Sequence, residues 1–220
     1  MEQHIVKIKS IDQVTHDVLR FETEKPANFI FKPGQASRIS INKEGWEKKK
    51  RSFTFTNLPE DDHLEFVIKT YPSHEGVTNE LLTLKAGDEL IVHEVWGSIA
   101  YKGEGVFIAG GAGVTPFISI LRHLHGKKQL GNNRLLFANK TVADVNEALR
   151  EELKAICGTY DLFRRNKLDL FEIMQETMDA VVPAQVMQVV SQFAEVKNYA
   201  NGVKPTFKIK KGKIRARKFA

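Results

Sequence analysis

The segment VFIAGGAGVTPFISILRHL, residues 106–124, constrains this chain more than any other. An apolar run meets three glycines and a Thr-Pro step, then a pattern with helical spacing. Pro116 stands in the first helical turn, where its missing N–H costs nothing, and Gly126 supplies the stop. A strand that runs through glycines into a helix presents backbone N–H groups at the positive end of the helix dipole. Such a turn suits an anion. Gly110, Gly111 and Gly113 supply the tight turn and Thr115 a hydroxyl beside it. No Lys-Ser/Thr follows, so this is not a nucleotide-triphosphate loop. Pro116 occupies the place of the third glycine in the usual Gly-x-Gly-x-x-Gly pattern. Alone, the glycines fit a purely structural strand-to-helix turn equally well.

The segments upstream obey a different grammar. HIVKIKSIDQVT, DVLRFETE, ASRISIN, RSFTFTN, LEFVIKTY and DELIVHEVW alternate apolar and polar positions between Gly, Pro, Asp and Asn punctuation. Six such strands at about ten-residue spacing predict an antiparallel barrel over residues 1–101. One short helix interrupts them, GVTNELLTL, with Leu81, Leu82 and Leu84. From residue 102 the order becomes strand, helix, strand, helix (GVFIAG, PFISILRHLHG, RLLFANK, VADVNEALREELKAI), which predicts a parallel α/β domain over 102–157. Beyond Gly158 the texture changes again. KLDLFEIMQETMDAV and AQVMQVVSQFAEVKNYA have helical periodicity, and KPTFKIKKGKIRARKFA alternates into a basic ribbon about Gly212. Residues 158–220 therefore read as an unassigned, mostly helical basic tail.

Charge follows the same division. The formal net charge is +6, yet residues 1–157 carry 21 Lys+Arg against 21 Asp+Glu, and residues 158–220 carry 12 against 6. The excess describes the tail alone, so a nucleic-acid partner for the whole chain does not follow. The single cysteine, Cys157, excludes an internal disulfide framework and fits a reducing cytoplasm. The N-terminal MEQHIVKIKS lacks a secretory signal pattern, and no apolar stretch reaches the ~18 residues of a membrane span. His123 and His125 are two apart on a predicted helix and diverge, His63 and His74 sit in loops, and no metal site is expected.

GGAGVTP placed after a barrel of this length resembles the ferredoxin–NADP reductase and flavodoxin reductase-like family of FAD-binding oxidoreductases. The resemblance covers residues 1–157. It implies that Gly110, Gly111, Gly113, Val114, Thr115 and Pro116 receive the pyrophosphate of NADPH or NADH as co-substrate. RSFTFTN is similar to the family's Arg-x-aromatic-Ser/Thr strand. Arg51 would then neutralise the FAD diphosphate, Phe53 lie against the isoalloxazine, and Thr54 hydrogen-bond near flavin N5, with Ser52 between them. Where the family more often has Tyr, Phe53 lacks the hydroxyl. In VIKTYPSHEGVTNEL, Lys69, Thr70 and Tyr71 would lie along the cofactor. The N–H groups of Gly76, Val77 and Thr78 would face phosphate. AGDELIVHEVWGSI matches a Gly-Asp turn, a strand and Gly97, with Trp96 where the family has proline.

The implied activity is hydride transfer from NAD(P)H to FAD and on to an acceptor such as a flavodoxin, ferredoxin or small molecule. Thr54 and Thr115 would stand near the transfer point, and Lys140 would contact a ribose phosphate. Cys157-Gly158 resembles the family's catalytic Cys-Gly pair, but it follows a helix rather than a late strand, and the role is not carried over. The sequence supplies two of the five parallel strands of such a nicotinamide domain, near 105–110 and 134–138, so a truncated domain is expected. Its alternative is a flavin-binding protein with an inactive nicotinamide domain and a basic tail for nucleic acid or an acidic assembly partner.

Overall fold

The computed structural model describes residues 3–72, 75–97, 99–139, 147–157, 160–164, 186–191, 194–199, 206–210 and 213–217. The chain divides into two compact units, residues 1–100 with 118–123, and residues 101–117 with 124–220.

The first unit is built on β1 (His4–Thr15), β2 (Val18–Glu24), β3 (Ala36–Ile41), β4 (Arg51–Thr54), β5 (His63–Lys69) and β6 (Glu89–Trp96). They form one antiparallel sheet in the order β4-β3-β6-β1-β2-β5. All six strands read from alternation are present. The two outer strands are drawn together just beyond β4, where the Thr56 N–H donates to the Glu65 carbonyl of β5 at 3.0 Å, and the sheet curls into a barrel.

Alternation decides which side chains fill it. Val6, Ile8, Phe21, Ile39, Ile41, Leu64, Phe66, Ile68, Leu90 and Val92 share one buried cluster, and a slip of one residue in any strand would turn its set outward. The cluster is completed by Phe31 and Phe55, stacked at 4.3 Å, and by Val77 and Leu81. Those two anchor helix α1 (Val77–Glu80) and the 3-10 turn Leu81–Thr83 that continues it. Leu82 is exposed, so the expected apolar face narrows to Leu81 with Leu84 packed beside it.

The second unit begins with β7 (Gly105–Gly110), followed by the 3-10 turn Gly111–Val114 and helix α2 (Thr115–Gly126), whose residues 118–123 belong to the first unit. Then come β8 (Arg134–Asn139), α3 (Glu147–Cys157), β9 (Tyr160–Arg164), β10 (Val186–Ser191) and β11 (Ala194–Tyr199). The sheet order is β11-β10-β7-β8-β9. The last four of these are mutually parallel, and β11 runs antiparallel to β10.

This corrects two expectations. The sheet does not stop after two strands: β10 pairs with β7 along its whole length, from Val186 opposite Gly105 to Ser191 opposite Gly110. Residues 186–191 and 194–199, read from the sequence as part of a helix, are strands. VMQVVS is a short run rich in β-branched residues, and an interior strand of an α/β sheet need not alternate, so periodicity cannot separate it from a buried helix. The other expected tail helix, around 168–178, lies outside the described residues. The basic ribbon is present as the hairpin β12 (Thr206–Lys210) and β13 (Lys213–Arg217).

Candidate functional site

An open groove of about 770 Å³ lies in the first unit, between the loop joining β3 to β4 and the start of α1. One wall carries Trp46, Lys48, Lys49 and Lys50, then Arg51 and Ser52 of β4; the other carries Glu75, Gly76, Val77, Asn79 and Glu80. The loop is fixed locally and across the groove. Trp46 N–H donates to the Lys43 carbonyl at 2.8 Å, Lys49 N–H to the Trp46 carbonyl at 3.1 Å, and Lys43 Nζ to Glu80 Oε1 at 2.5 Å.

The opposite wall is fixed by burial of the Val77 side chain. Asn79 and Glu80 both donate their N–H groups to the Gly76 carbonyl, at 3.0 and 3.1 Å. The earlier N–H groups of the turn, those of Val77 and Thr78, have no partner within the helix.

The groove is positive. Arg38 at its rim is paired with Glu94 at 3.2 Å, and Glu80 is engaged by Lys43. Among the described residues Lys48, Lys50 and Arg51 make no ion pair. The charge of Lys50 is felt in β6: burial first, and Lys50 next, hold the His93 imidazole below its ordinary value. Its Nε2 lies 3.0 Å from the Ser40 hydroxyl.

Of the residues singled out in the sequence, Arg51, Ser52, Gly76 and Val77 converge on this groove. Phe53 is half-buried against the barrel core. Thr54 is half-buried and in register with Ala36, which is in turn opposite Trp96, so the three stand in one row across β4, β3 and β6. Thr78 and Tyr71 are half-buried.

Lys69 and Thr70 have another engagement. Lys69 Nζ is 2.5 Å from Asp17 Oδ2, and the buried Thr70 donates its N–H and its hydroxyl to the Asp17 carbonyl at 2.7 and 3.1 Å. They fasten the end of β5 to the β1–β2 turn. Trp46 and the three lysines were not singled out; their signal was the run EKKK immediately before the Arg51 strand.

In the second unit the glycine turn leaves the end of a central strand, since Gly110 is in register with Ala138 on one side and Ser191 on the other. Gly111 has φ +55°, a left-handed conformation that favours glycine. Thr115 donates its hydroxyl to the Ala112 carbonyl at 3.0 Å, and Val114 and Pro116 are buried. After β7 the chain proceeds to β8 and β9 on one side and returns to β10 on the other. The turn therefore sits at the point where the strand order reverses, where open α/β sheets bind ligands beyond the carboxyl ends of their strands. Lys140 and His74 lie outside the described residues. Among the described residues no group of three or more His, Cys, Asp or Glu side chains gathers as a metal site.

The residues present fit a flavin dinucleotide in the first groove. Its wall supplies cations for a diphosphate. A Cβ built on Gly76 would meet nothing within 4 Å, so the glycine leaves open space where a ligand can approach the backbone.

Comparison with known proteins agrees. Residues 3–94 match the FAD-binding domain family and residues 107–199 the oxidoreductase NAD-binding domain family. The second match continues past residue 157, where the sequence resemblance was traced to end, and takes in β9, β10 and β11. The chain is 30% identical over 188 residues to the reductase component of propane 2-monooxygenase from Mycolicibacterium smegmatis, covering 82% of this chain and 51% of that one. It is 34% identical over 169 residues to the glycine betaine monooxygenase reductase subunit of Pseudomonas aeruginosa, covering 73% and 45%. It thus spans about half the length of the relatives it matches.

Among solved structures, the ferredoxin NADP+ reductase of Neisseria gonorrhoeae with bound FAD and NADP superposes with a TM-score of 0.69 at 16% identity, over 86% of this chain and 84% of that one. The cytochrome b5 reductase domain of Ulva prolifera nitrate reductase gives 0.68 at 22%, over 86% and 87%. At these identities the likeness is one of fold. Together the matches define a chain with an FAD-binding domain followed by a nicotinamide-dinucleotide-binding domain. It belongs to the ferredoxin reductase-like family of FAD-binding oxidoreductases.

Proposed function

We propose that this protein is an NAD(P)H-dependent FAD oxidoreductase that passes electrons to a separate acceptor. One observation carries the reading: a single chain holds an FAD-binding match with a cation-lined groove and an NAD-binding match with a glycine turn at a sheet's switch point. FAD, when bound, supplies the redox chemistry by accepting hydride from the nicotinamide and releasing electrons to the acceptor.

The chain's own residues bind and orient. In this reading Arg51, Ser52 and the N–H groups of Gly76, Val77 and Thr78 hold the diphosphate, and Phe53 and Thr54 border the isoalloxazine. Gly110, Gly111 and Gly113 receive the dinucleotide pyrophosphate, and Thr115 shapes that turn through its bond to Ala112. Lys69 and Thr70 support the flavin strand through Asp17. Residues 1–101 form the flavin part and 102–157 open the nicotinamide part, to which β9 and β10 also contribute strands.

The names of the relatives, reductase components and subunits of oxygenases, favour a protein as the acceptor over a small molecule. The single cysteine supports a reducing cytoplasm as the protein's compartment in this reading. Among the described residues no helix is long and apolar enough to cross a membrane. A flavin protein with an incomplete nicotinamide domain is not favoured, because the NAD-binding match extends to residue 199. Nothing in the comparisons supports a nucleic-acid or acidic partner for the basic hairpin.

The test is spectroscopic. The purified protein should take up FAD, turn yellow, and bleach on anaerobic addition of NADH or NADPH. A protein that takes up no FAD, or a flavin that neither cofactor bleaches, overturns the reading.

A further inference from the structure

We propose that Trp46 is a positioning residue for Lys49, and that Lys49 is the second cation, beside Arg51, of the clamp for the flavin dinucleotide diphosphate. The inference rests on the reading of the groove as the FAD site and goes beyond the Arg-x-aromatic-Thr strand and the glycine-led helix start.

The observation is the placement of a loop lysine. Lys49 Nζ lies 3.9 Å from the centroid of the Trp46 ring, inside the ~6 Å range in which a ring face attracts a cation. Lys49 is exposed, and a lysine on such a loop ordinarily samples many rotamers. Here three features restrain it. Trp46 is half-buried and packs on the barrel core. The Lys49 N–H is bonded to the Trp46 carbonyl, which closes a compact turn. The Lys43–Glu80 bond ties that turn to the facing wall.

Trp46 and Lys49 line the same groove as Arg51, Ser52 and Gly76. All these residues belong to the first unit, so the arrangement is complete within it.

Charge gives the arrangement its purpose. Lys48, Lys49, Lys50 and Arg51 are four successive cations, and like charges this close repel one another. Of the two acidic groups on the facing wall, Glu80 is already engaged by Lys43, which leaves only Glu75 against the run. A diphosphate, dianionic as a whole with one charge on each phosphate, is the chemistry that would offset the run. An ammonium held over an exposed ring is bound by only ~0.5–1 kcal/mol, so it can turn from the ring toward a phosphate oxygen. A free phosphate or pyrophosphate would meet the same cations, but only a flavin nucleotide would also meet the face of the barrel beyond Arg51.

Titration of the flavin-free protein by flavin fluorescence separates these sources, using FAD, riboflavin and inorganic pyrophosphate as a competitor. Lys49→Gln should weaken FAD about tenfold, equivalent to about 1.4 kcal/mol, and leave riboflavin, which has no phosphate, unchanged. Raising salt should weaken FAD less in this variant than in the native protein. Trp46→Leu should match the loss in Lys49→Gln, Trp46→Phe should retain most of the affinity, and the double variant should be no weaker than either single one. Pyrophosphate that competes equally with native protein and Lys49→Gln overturns the role of Lys49. So does native FAD affinity in Lys49→Gln, or an equal loss for riboflavin. Losses that add fully in the double variant overturn the positioning role of Trp46. Should Trp46→Leu fail to fold, Trp46→Phe and Lys49→Gln still decide. A native protein that binds no FAD overturns the underlying reading instead.

Discussion

Arg122 donates to Glu65 Oε1 at 2.8 Å and, from the same nitrogen, to the Thr56 carbonyl at 2.9 Å. Thr56 returns its own hydroxyl to that carboxylate oxygen at 2.6 Å, and the Glu65 N–H donates to Asn57 Oδ1 at 3.0 Å. Ser119, one helical turn before Arg122, donates to the Asn57 carbonyl at 2.9 Å. The Glu65 side chain is 7% exposed, so its charge depends on these donors.

Arg122→Met should therefore destabilise the protein by about 3 kcal/mol, the lower end for a broken buried pair because the arginine reaches partly into solvent. Glu65→Gln in the same background should recover part of that loss by removing the stranded charge. Urea denaturation of the single and double variants measures both. Equal stability of Arg122→Met and the native protein would show that the pair carries no net weight.

Gly34 and Gly45 both have left-handed backbones, at φ +92° and +80°, and they separate two costs of adding a Cβ. At Gly45 nothing lies within 4 Å, whereas at Gly34 the new atom would stand 2.6 Å from the Ile99 carbonyl oxygen. Gly45→Ala should cost about 1 kcal/mol from conformation alone, and Gly34→Ala at least about 2 kcal/mol more, because backbone must move. Thermal and urea denaturation of the two variants give the comparison.

Stability should decline on acidification in two windows. His93 is held below its ordinary value of 6.5 by burial and the positive charge of Lys50. The unfolded chain therefore takes up a proton first, and stability is lost as pH falls below about 6.5. Asp17 lies below its ordinary 3.8: burial pushes it upward, but the bond and charge of Lys69 outweigh that. Its contribution is present above about 3.8 and disappears as pH falls through the lower folded value. His93→Asn should flatten the first window and Asp17→Asn the second in denaturation curves taken from pH 8 to pH 3.

The six barrel strands were legible because their apolar side chains alternate, and that alternation survives in ASRISI and HLEFVIK although Ser37, Ser40 and Glu65 are buried as well. β7 and α2 were legible because glycines and Pro116 mark their junction. The return strand β10 was not, since VMQVVS carries neither alternation nor length enough to exclude a helix. Half of the candidate groove was readable from Arg51 and Gly76. The other half was hidden because a run such as Lys48–Lys50 ordinarily reads as a solvated loop, and only the fold brings it opposite Gly76. Lys69 shows the converse: it ends a barrel strand at a place where the family resemblance suggested the cofactor, and its charge is met by Asp17.

Gly76 separates binding from folding. Its backbone, at φ −174° and ψ 177°, is extended and open to any residue, and a Cβ there meets no atom within 4 Å. Glycine and threonine are of similar quality at a helix N-cap, so Gly76→Thr should change stability by no more than about 0.5 kcal/mol. The added side chain nevertheless occupies the groove that Gly76 lines, at the start of α1. FAD affinity should fall at least about tenfold, while the thermal midpoint of the flavin-free protein stays within a degree or two of native. Unchanged FAD affinity in a folded Gly76→Thr protein would place the diphosphate elsewhere and remove the groove from the flavin site.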